Sequence, residues 1–354
     1  MTTTPQIDSQ ALEAFLAQAV TDAAAAMSVL LSHIGDRLGL YRAMSDSEPV
    51  TSAELARRTD TNERLVHEWL SNQAVGGYVN FDPETERFRL PPEHALALAE
   101  ENSPALIQGM FDMVAAVYQD IDKEVGVFRT GAGLTWPDNH HSVFEATERS
   151  FRPGYRANLV QQWIPAVAGL HAKLTAGAHV ADVGCGYGTA TTVLAEAYPA
   201  STFVGYDYHA SSVDAARESA ARQGVADRVT FEVADASEIT GPYDLITFFD
   251  AWHDMSDPVG AAWAAREALG PDGAVLLIEP LSHDRLEDSF DPLGRFGYAV
   301  STLICVPCSI SGGGPGLGAQ AGETRTRELF TEAGFTRFRR ALETPLNLMY
   351  EARP

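Results

Sequence analysis

The sequence predicts a doubly wound α/β domain preceded by a mainly helical one, and three observations carry that expectation. Apolar runs alternate with helical patterns from about residue 166 onwards. A small-residue loop, "VADVGCGYGTA", joins the first of those runs to a helix. Before it, apolar residues recur mostly at helical spacing, broken by two short strand-like runs. A length of 354 residues agrees with about two folded units, since single cores stop growing near roughly 250 residues.

In chain order, Leu12, Phe15, Leu16, Ala19 and Val20 line one helical face, and Met27, Leu30, Leu31, Ile34 and Leu38 line a second helix. Two apolar helices at this point need cover, and a second copy of the chain is the expected source, giving a homodimer. Between Val50 and Leu90 the order is short helix, helix, strand, turn, strand. Thr51 with Glu54 forms a capping box, Thr61 or Asn62 caps the next helix, Gly76 and Gly77 end it, and "DPETER" turns between the strands. That order resembles a winged helix. A winged helix that reads DNA needs a basic face, yet Gly35–Asn102 holds seven arginines, no lysine and thirteen Asp plus Glu, a net of −6.

The whole chain repeats that balance. With 25 basic and 48 acidic residues its net charge is −23, a field that repels nucleic acid and anionic membranes. Hydrophobic residues at 45% and charged ones at 21% are ordinary for a globular protein. Three cysteines without a paired framework suit a reducing compartment, and neither a secretory leader nor an uninterrupted run of about 18 apolar residues is visible. A cytoplasmic protein without nucleic-acid or membrane partners is expected. Three segments follow: a dimerisation domain over 1–102, a helical linker over 103–165, and an α/β domain over 166–354.

In that last segment "HVADVG", "TFVGYD", "RVTFEVAD", "YDLITFFD" and "AVLLIEP" read as strands, with helices between them, and "GFTRFRRAL" and "PLNLMYEAR" as a closing hairpin. The glycine loop lacks the GxxxxGK[ST] of a P-loop. It also lacks GxGxxG/A, because Thr189 and Thr191 occupy the sixth positions counted from Gly184 and Gly186. What stands is Asp182 followed by Gly184, Gly186 and Gly188, then Asp207 at the end of the second strand, 19 residues beyond Gly188, Asp235 after the third, and Phe249 and Asp250 at the end of the fourth. A carboxylate such as Asp207 can take both hydroxyls of a ribose.

This series resembles the class I S-adenosylmethionine-dependent methyltransferases, and with the winged helix it is similar to the small-molecule O-methyltransferases among them. The resemblance implies a Rossmann-like, doubly wound, seven-stranded sheet. It implies S-adenosyl-L-methionine as cofactor, held by Tyr155, Asp182, Gly184, Cys185, Gly186, Asp207, Tyr208, Asp235, Ala236, Phe249 and Asp250. It further implies a small organic acceptor, methylated most simply at a hydroxyl. His253, in "DAWHDMSDP", matches the family's general base, and Glu279 the carboxylate that orients it. Asp254 adjoins His253 in sequence and is not expected to pair with it.

The acceptor would be met by 103–165, by "FRPGYRANLVQQW" and by the region of Phe296 and Tyr298. A regulator sensing S-adenosylmethionine, or transfer to nitrogen or carbon, are the alternatives. No metal site is expected. His140 and His141 read as solvated loop residues, Cys305 and Cys308 as buried reduced thiols, and "SGGGPGLG" as a flexible connection near the acceptor.

Overall fold

The computed structural model describes residues 7–354, which form two compact units, one through Tyr118 and one from Gln119 onwards. The expected linker, 103–165, is divided between them.

The first unit opens with α1 (Ser9–Arg37), capped by the Asp8 carboxylate, which accepts from the Gln10 and Ala11 amides. The spacing of apolar residues predicts two helices here. The run Ala23–Ala26 is made of the residue type with the highest helix propensity and carries the helix through, so a single element of 29 residues results. Its second half is anchored, since Trp69 donates to the Leu31 carbonyl at 2.8 Å and the missing Cβ of Gly35 lets that indole approach closely. Its first half exposes Leu12, Phe15, Leu16 and Val20.

The winged helix follows as α2 (Ser52–Thr59), α3 (Glu63–Val75), β1 (Asn80–Asp82) and β2 (Arg87–Arg89), then α4 (Pro92–Leu98) and α5 (Gln108–Val117). Thr51 and Glu54 form the capping box, and Asn62 caps α3. Val50 exchanges both backbone hydrogen bonds with Phe88, while Arg87 reaches back to Glu54. On α3, Arg64 is engaged by Glu68 one turn along, so that helix offers no unpaired arginine to a phosphate.

The second unit begins with α6 (Ile121–Thr130) and α7 (His141–Asn158). The latter runs through a π-turn (Leu159–Trp163) into α8 (Ile164–Ala166), and α9 (Leu170–Ala176) follows. His140 is not a solvated loop residue: it caps α7, its ring taking the Ser142 amide while its own amide donates to Asp120. Then come β3 (His179–Val183), α10 (Thr189–Ala197), β4 (Thr202–Asp207), α11 (Ala210–Gln223), β5 (Val229–Val233), β6 (Tyr243–Phe249), α12 (Pro258–Ala268) and β7 (Leu269–Pro280). The chain closes with α13 (Pro292–Val300), a π-turn (Ser301–Cys305), α14 (Val306–Ser311), α15 (Gly322–Glu332), β8 (Arg337–Glu343) and β9 (Asn347–Arg353).

The seven strands lie in the order β5-β4-β3-β6-β7-β9-β8, parallel but for the closing hairpin. Along β6, Leu245 and Phe249 enter one core while Ile246 and Phe248 enter the other. Both faces are therefore apolar, because helices cover both. The strand order reverses between β3 and β6, and a ligand crevice in such a sheet opens beyond the carboxyl ends of the strands at that point.

Two sequence expectations change here. Ser9–Arg37 and Pro292–Ser311 are each long and apolar enough to cross a membrane by length and composition, because their apolar residues are interrupted by few charges, Asp22 near the middle of the first and Arg295 in the second. The glycine segment after α14 is packed rather than loose: a Cβ on Gly314 would run into the Ser256 and Ser309 carbonyls, and the Gly318 amide donates to the His253 carbonyl.

Gly188 has φ +70°, and a Cβ there would stand 2.5 Å from the Phe231 ring. Gly188→Ala should therefore lower unfolding stability by about 2–4 kcal/mol, combining left-handed strain with overpacking. Urea denaturation measures it, and a loss below about 1 kcal/mol would show that the loop relaxes freely.

Candidate active site

The glycine loop is shaped from beneath. Gly184, Gly186 and Gly188 all have positive φ, at 76°, 52° and 70°, a region that favours glycine. Their surroundings differ. A Cβ at Gly184 would strike Ala251 and one at Gly188 would strike Phe231, whereas nothing lies within 4 Å of one at Gly186. Gly184 and Gly188 answer to packing, whereas Gly186 borders open space.

Asp182 lies behind this loop, not in front of it. It is 2% exposed, with Thr191 Oγ1 donating to Oδ2 at 2.5 Å and Thr247 Oγ1 to Oδ1 at 3.1 Å. Burial pushes its carboxyl up to about 6, against the lowering pull of the two hydroxyls. Its expected part in holding a cofactor is thus through the loop's shape.

Asp207 ends β4 and faces the loop. Its Oδ2 accepts from the Gly186 amide at 2.8 Å and its Oδ1 from the His209 amide at 2.8 Å. Burial raises its carboxyl more than those amides lower it. A carboxylate fixed at both oxygens by backbone, beside an open Gly186, suits the two hydroxyls of a ribose and agrees with the donor pattern of a nucleoside cofactor. Tyr208, next to it, is half-exposed and takes the Trp136 amide on its hydroxyl. Cys185 stays in the loop, where burial pushes its thiol well up. Asp235 and Ala236 sit at the next strand end, but there Asp235 caps a short turn, accepting from the Ser237 amide and hydroxyl.

Beyond β6, Asp250 adopts φ +51°, and its carboxyl collects Tyr155 Oη at 2.9 Å and Asn347 Nδ2 at 3.1 Å. Tyr155 packs on Phe249, with ring centroids 5.5 Å apart, so α7 is pinned to the end of β6. Burial first, and the Glu279 charge second, push the Asp250 carboxyl up to about 8.

One turn later stands His253, on a short 3₁₀ segment over residues 252–254. Its Nδ1 meets Glu279 Oε2 in a very short contact, and its Nε2 lies 3.1 Å from Asp254 Oδ1. The His253–Asp254 approach corrects the sequence expectation, because the tight 3₁₀ turn swings two adjacent side chains to one side. Burial lowers the imidazole's proton affinity, but the Glu279 and Asp254 charges outweigh it and hold His253 well above the ordinary histidine value. Glu279 in turn is raised by burial, partly offset by His253.

The surroundings of four groups escape sequence reading. Asn347 joins Asp250 across 97 residues of chain, and no local pattern signals it. Cys305 comes near His253 from the π-turn, and Cys308 lies by Asn139. Glu124 is buried, with neither oxygen hydrogen-bonded among the described residues, and burial pushes it up to about 7. A lone Glu in an amphipathic helix carries no sign of this.

Known proteins resemble this chain in the same two units. A methyltransferase domain model matches residues 174–305 and an Rv2258c-like winged HTH domain model residues 25–100. The 27-O-demethylrifamycin SV methyltransferase of Amycolatopsis mediterranei is 32% identical over 191 residues, covering 52% of this chain and 68% of that one. The trans-aconitate 2-methyltransferase of Deinococcus radiodurans is 29% identical over 152 residues, 43% of this chain and 52% of that one. The first curated relatives are matched over only 23% to 54% of their own length. Among solved structures, a mitomycin 7-O-methyltransferase superposes with TM-score 0.72 at 20% identity, covering 98% of this chain and all of its own. Human N-acetylserotonin methyltransferase, solved with S-adenosylmethionine, superposes with TM-score 0.68 at 17% identity, covering 100% of this chain and 99% of its own.

The raised Asp250 carboxyl has a thermodynamic consequence. Folding holds its proton while the unfolded chain releases it near pH 4, so stability from this group is full below about pH 4 and is lost as the pH rises towards about 8. Asp250→Asn should flatten that slope by on the order of 2 kcal/mol, well below the full linkage value of a shift this size. Chemical denaturation across the window measures it, and equal slopes in both proteins would refute it.

Proposed function

The chain belongs to the class I S-adenosylmethionine-dependent methyltransferases that carry an N-terminal winged-helix domain, and from that premise we propose that it methylates a small organic acceptor at a hydroxyl oxygen. The observation that carries the reading is His253 with its Nδ1 held by Glu279, on the same strand edge as the glycine loop and Asp207. When bound, S-adenosylmethionine supplies an electrophilic methyl on a sulfonium. Asp207 would hold its ribose, the amides around Gly186 its amino-acid part, Asp235 its adenine, and Phe249 with Tyr155 would wall the pocket.

His253 then takes the acceptor's proton on Nε2, the nitrogen facing away from Glu279. Glu279 is a positioning residue: it fixes the tautomer that leaves Nε2 basic and steadies the cation after proton transfer. Reaction in line needs little more than this alignment. The rival reading as a transcriptional regulator is disfavoured by a winged helix of net charge −6 whose Arg64 is spent on Glu68.

We further propose that the exposed first half of α1 makes a homodimer and that the enzyme works in the reducing cytoplasm, where its three free cysteines persist.

Calorimetric titration with S-adenosylmethionine should give micromolar binding, lost in Asp207→Ala. In a panel of hydroxylated small molecules, His253→Ala should lower kcat/KM by about 10²–10⁴ while cofactor affinity holds. Full transfer by His253→Ala would remove His253 from the role of base. Because Glu279 raises the His253 proton affinity, kcat/KM should climb with pH above the ordinary histidine range, and Glu279→Gln should shift that climb to lower pH.

Sedimentation tests the dimer separately. The native chain should sediment as a dimer and the double variant Phe15→Glu, Leu16→Glu as a folded monomer, whereas a native monomer at all concentrations would end that proposal.

A further inference from the structure

His253 Nε2, Asp254 Oδ1 and Cys305 Sγ all lie within 4.8 Å of one another, and the histidine and aspartate atoms are 3.1 Å apart. That last distance is close to the ligand–ligand edge of a tetrahedral site with metal–ligand bonds of about 2 Å. By strict geometry no hydrogen bond reaches the buried Asp254 Oδ1 among the described residues, and the groups nearest it are His253 Nε2 and the Cys305 thiol. A buried acceptor left open in this way calls for a cation or a donor.

The donors form a recognisable set. Imidazole nitrogen, carboxylate oxygen and a thiol sulfur together suit a borderline-soft divalent ion, with ligand lengths of about 2.0–2.3 Å for zinc. Behind the histidine stands the feature that metal sites use to aim an imidazole: its other nitrogen is engaged by a buried carboxylate, Glu279. Cys305 is 4% exposed and reaches the cluster from the π-turn, a local widening of the helix often seen where a side chain is steered into a site.

We propose that His253, Asp254 and Cys305 form a binding site for zinc or a similar soft divalent cation, with one coordination position open. Binding is a ligand exchange without redox change. The ion takes the lone pair of His253 Nε2 and the sulfur of Cys305, and any proton on either atom passes to water as the bonds to the metal form. An occupied site has no basic nitrogen left for an acceptor hydroxyl, so methyl transfer stops until a chelator removes the ion. This inhibitory consequence rests on the reading of His253 as the base; the binding itself does not.

The test uses cobalt(II) as an optical stand-in for zinc on the full-length, metal-stripped protein. One equivalent should bring visible ligand-field bands and a near-ultraviolet thiolate-to-cobalt band, and zinc should abolish both. Cys305→Ser should lose the near-ultraviolet band, and Cys308→Ser should keep it. Glu279→Gln should keep the band with affinity weakened about 10–100-fold, the usual effect of removing a partner of a ligating histidine.

Failure of the native protein to give a thiolate band at millimolar cobalt, or a band that survives Cys305→Ser, overturns the site. The transfer assay is read apart from these spectra. Reversible inhibition by zinc, absent in Cys305→Ser, supports the inhibitory role, while inhibition unchanged by that substitution overturns it. A protein that shows the bands yet methylates nothing keeps the metal site and loses the reading of His253 as the base.

Discussion

Much of the second unit hangs on one buried carboxyl. Asp182 lies near the end of the first strand of the sheet and accepts from Thr191, in the helix after the glycine loop, and from Thr247, in the neighbouring strand. A carboxyl taken so far from water must be satisfied or its burial is expensive, so the two hydroxyls and the two elements that carry them are held in register. The reversal of strand order between those strands opens the crevice, and the loop above follows the same anchor. Asp207 then fastens the loop from the far side through the Gly186 amide.

The acidic edge is organised by how strongly each group is desolvated. Burial beside Glu279 pushes the Asp250 carboxyl up to about 8, whereas the rise that burial gives Glu279 is partly offset by His253. Tyr155 and Asn347 close on Asp250 from two remote parts of the chain, which makes the strand end rigid where the chemistry is expected. A high net negative charge is thus compatible with a compact crevice, since burial raises the proton affinity of Asp182, Asp207, Asp250 and Glu279 and hydrogen-bond donors face several of them.

The sheet and its loop are legible because they depend on short-range signals. Alternating strands and helices, three glycines forced to positive φ, and acids at successive strand ends are all local patterns. The Thr51–Glu54 capping box is equally plain, as its two partners lie three residues apart. What sequence does not supply is the meeting of distant segments. Cys305 with His253 depends on a π-turn that has no local signature, and Asn347 with Asp250 on where the closing hairpin docks, which its legible strands do not tell. The unbroken first helix reads as two for a different reason: its apolar face drifts around the axis across the alanine run, which looks like a boundary when only spacing is followed. Asp254 is hard to place beside His253 from sequence, because the geometry of a 3₁₀ turn differs from that of the helix or strand assumed for adjacent side chains.

That first helix also bears on how the protein is made. At about 1.5 Å per residue its 29 residues extend over about 44 Å, and its apolar leading half is synthesised long before the sheet exists. Nothing else in the described chain shields that half. Apolar surface exposed in this way before assembly is the kind that promotes aggregation as concentration rises. Yield of folded protein should then fall as the chain becomes more concentrated before it assembles, a property set by one helix and not by the sheet.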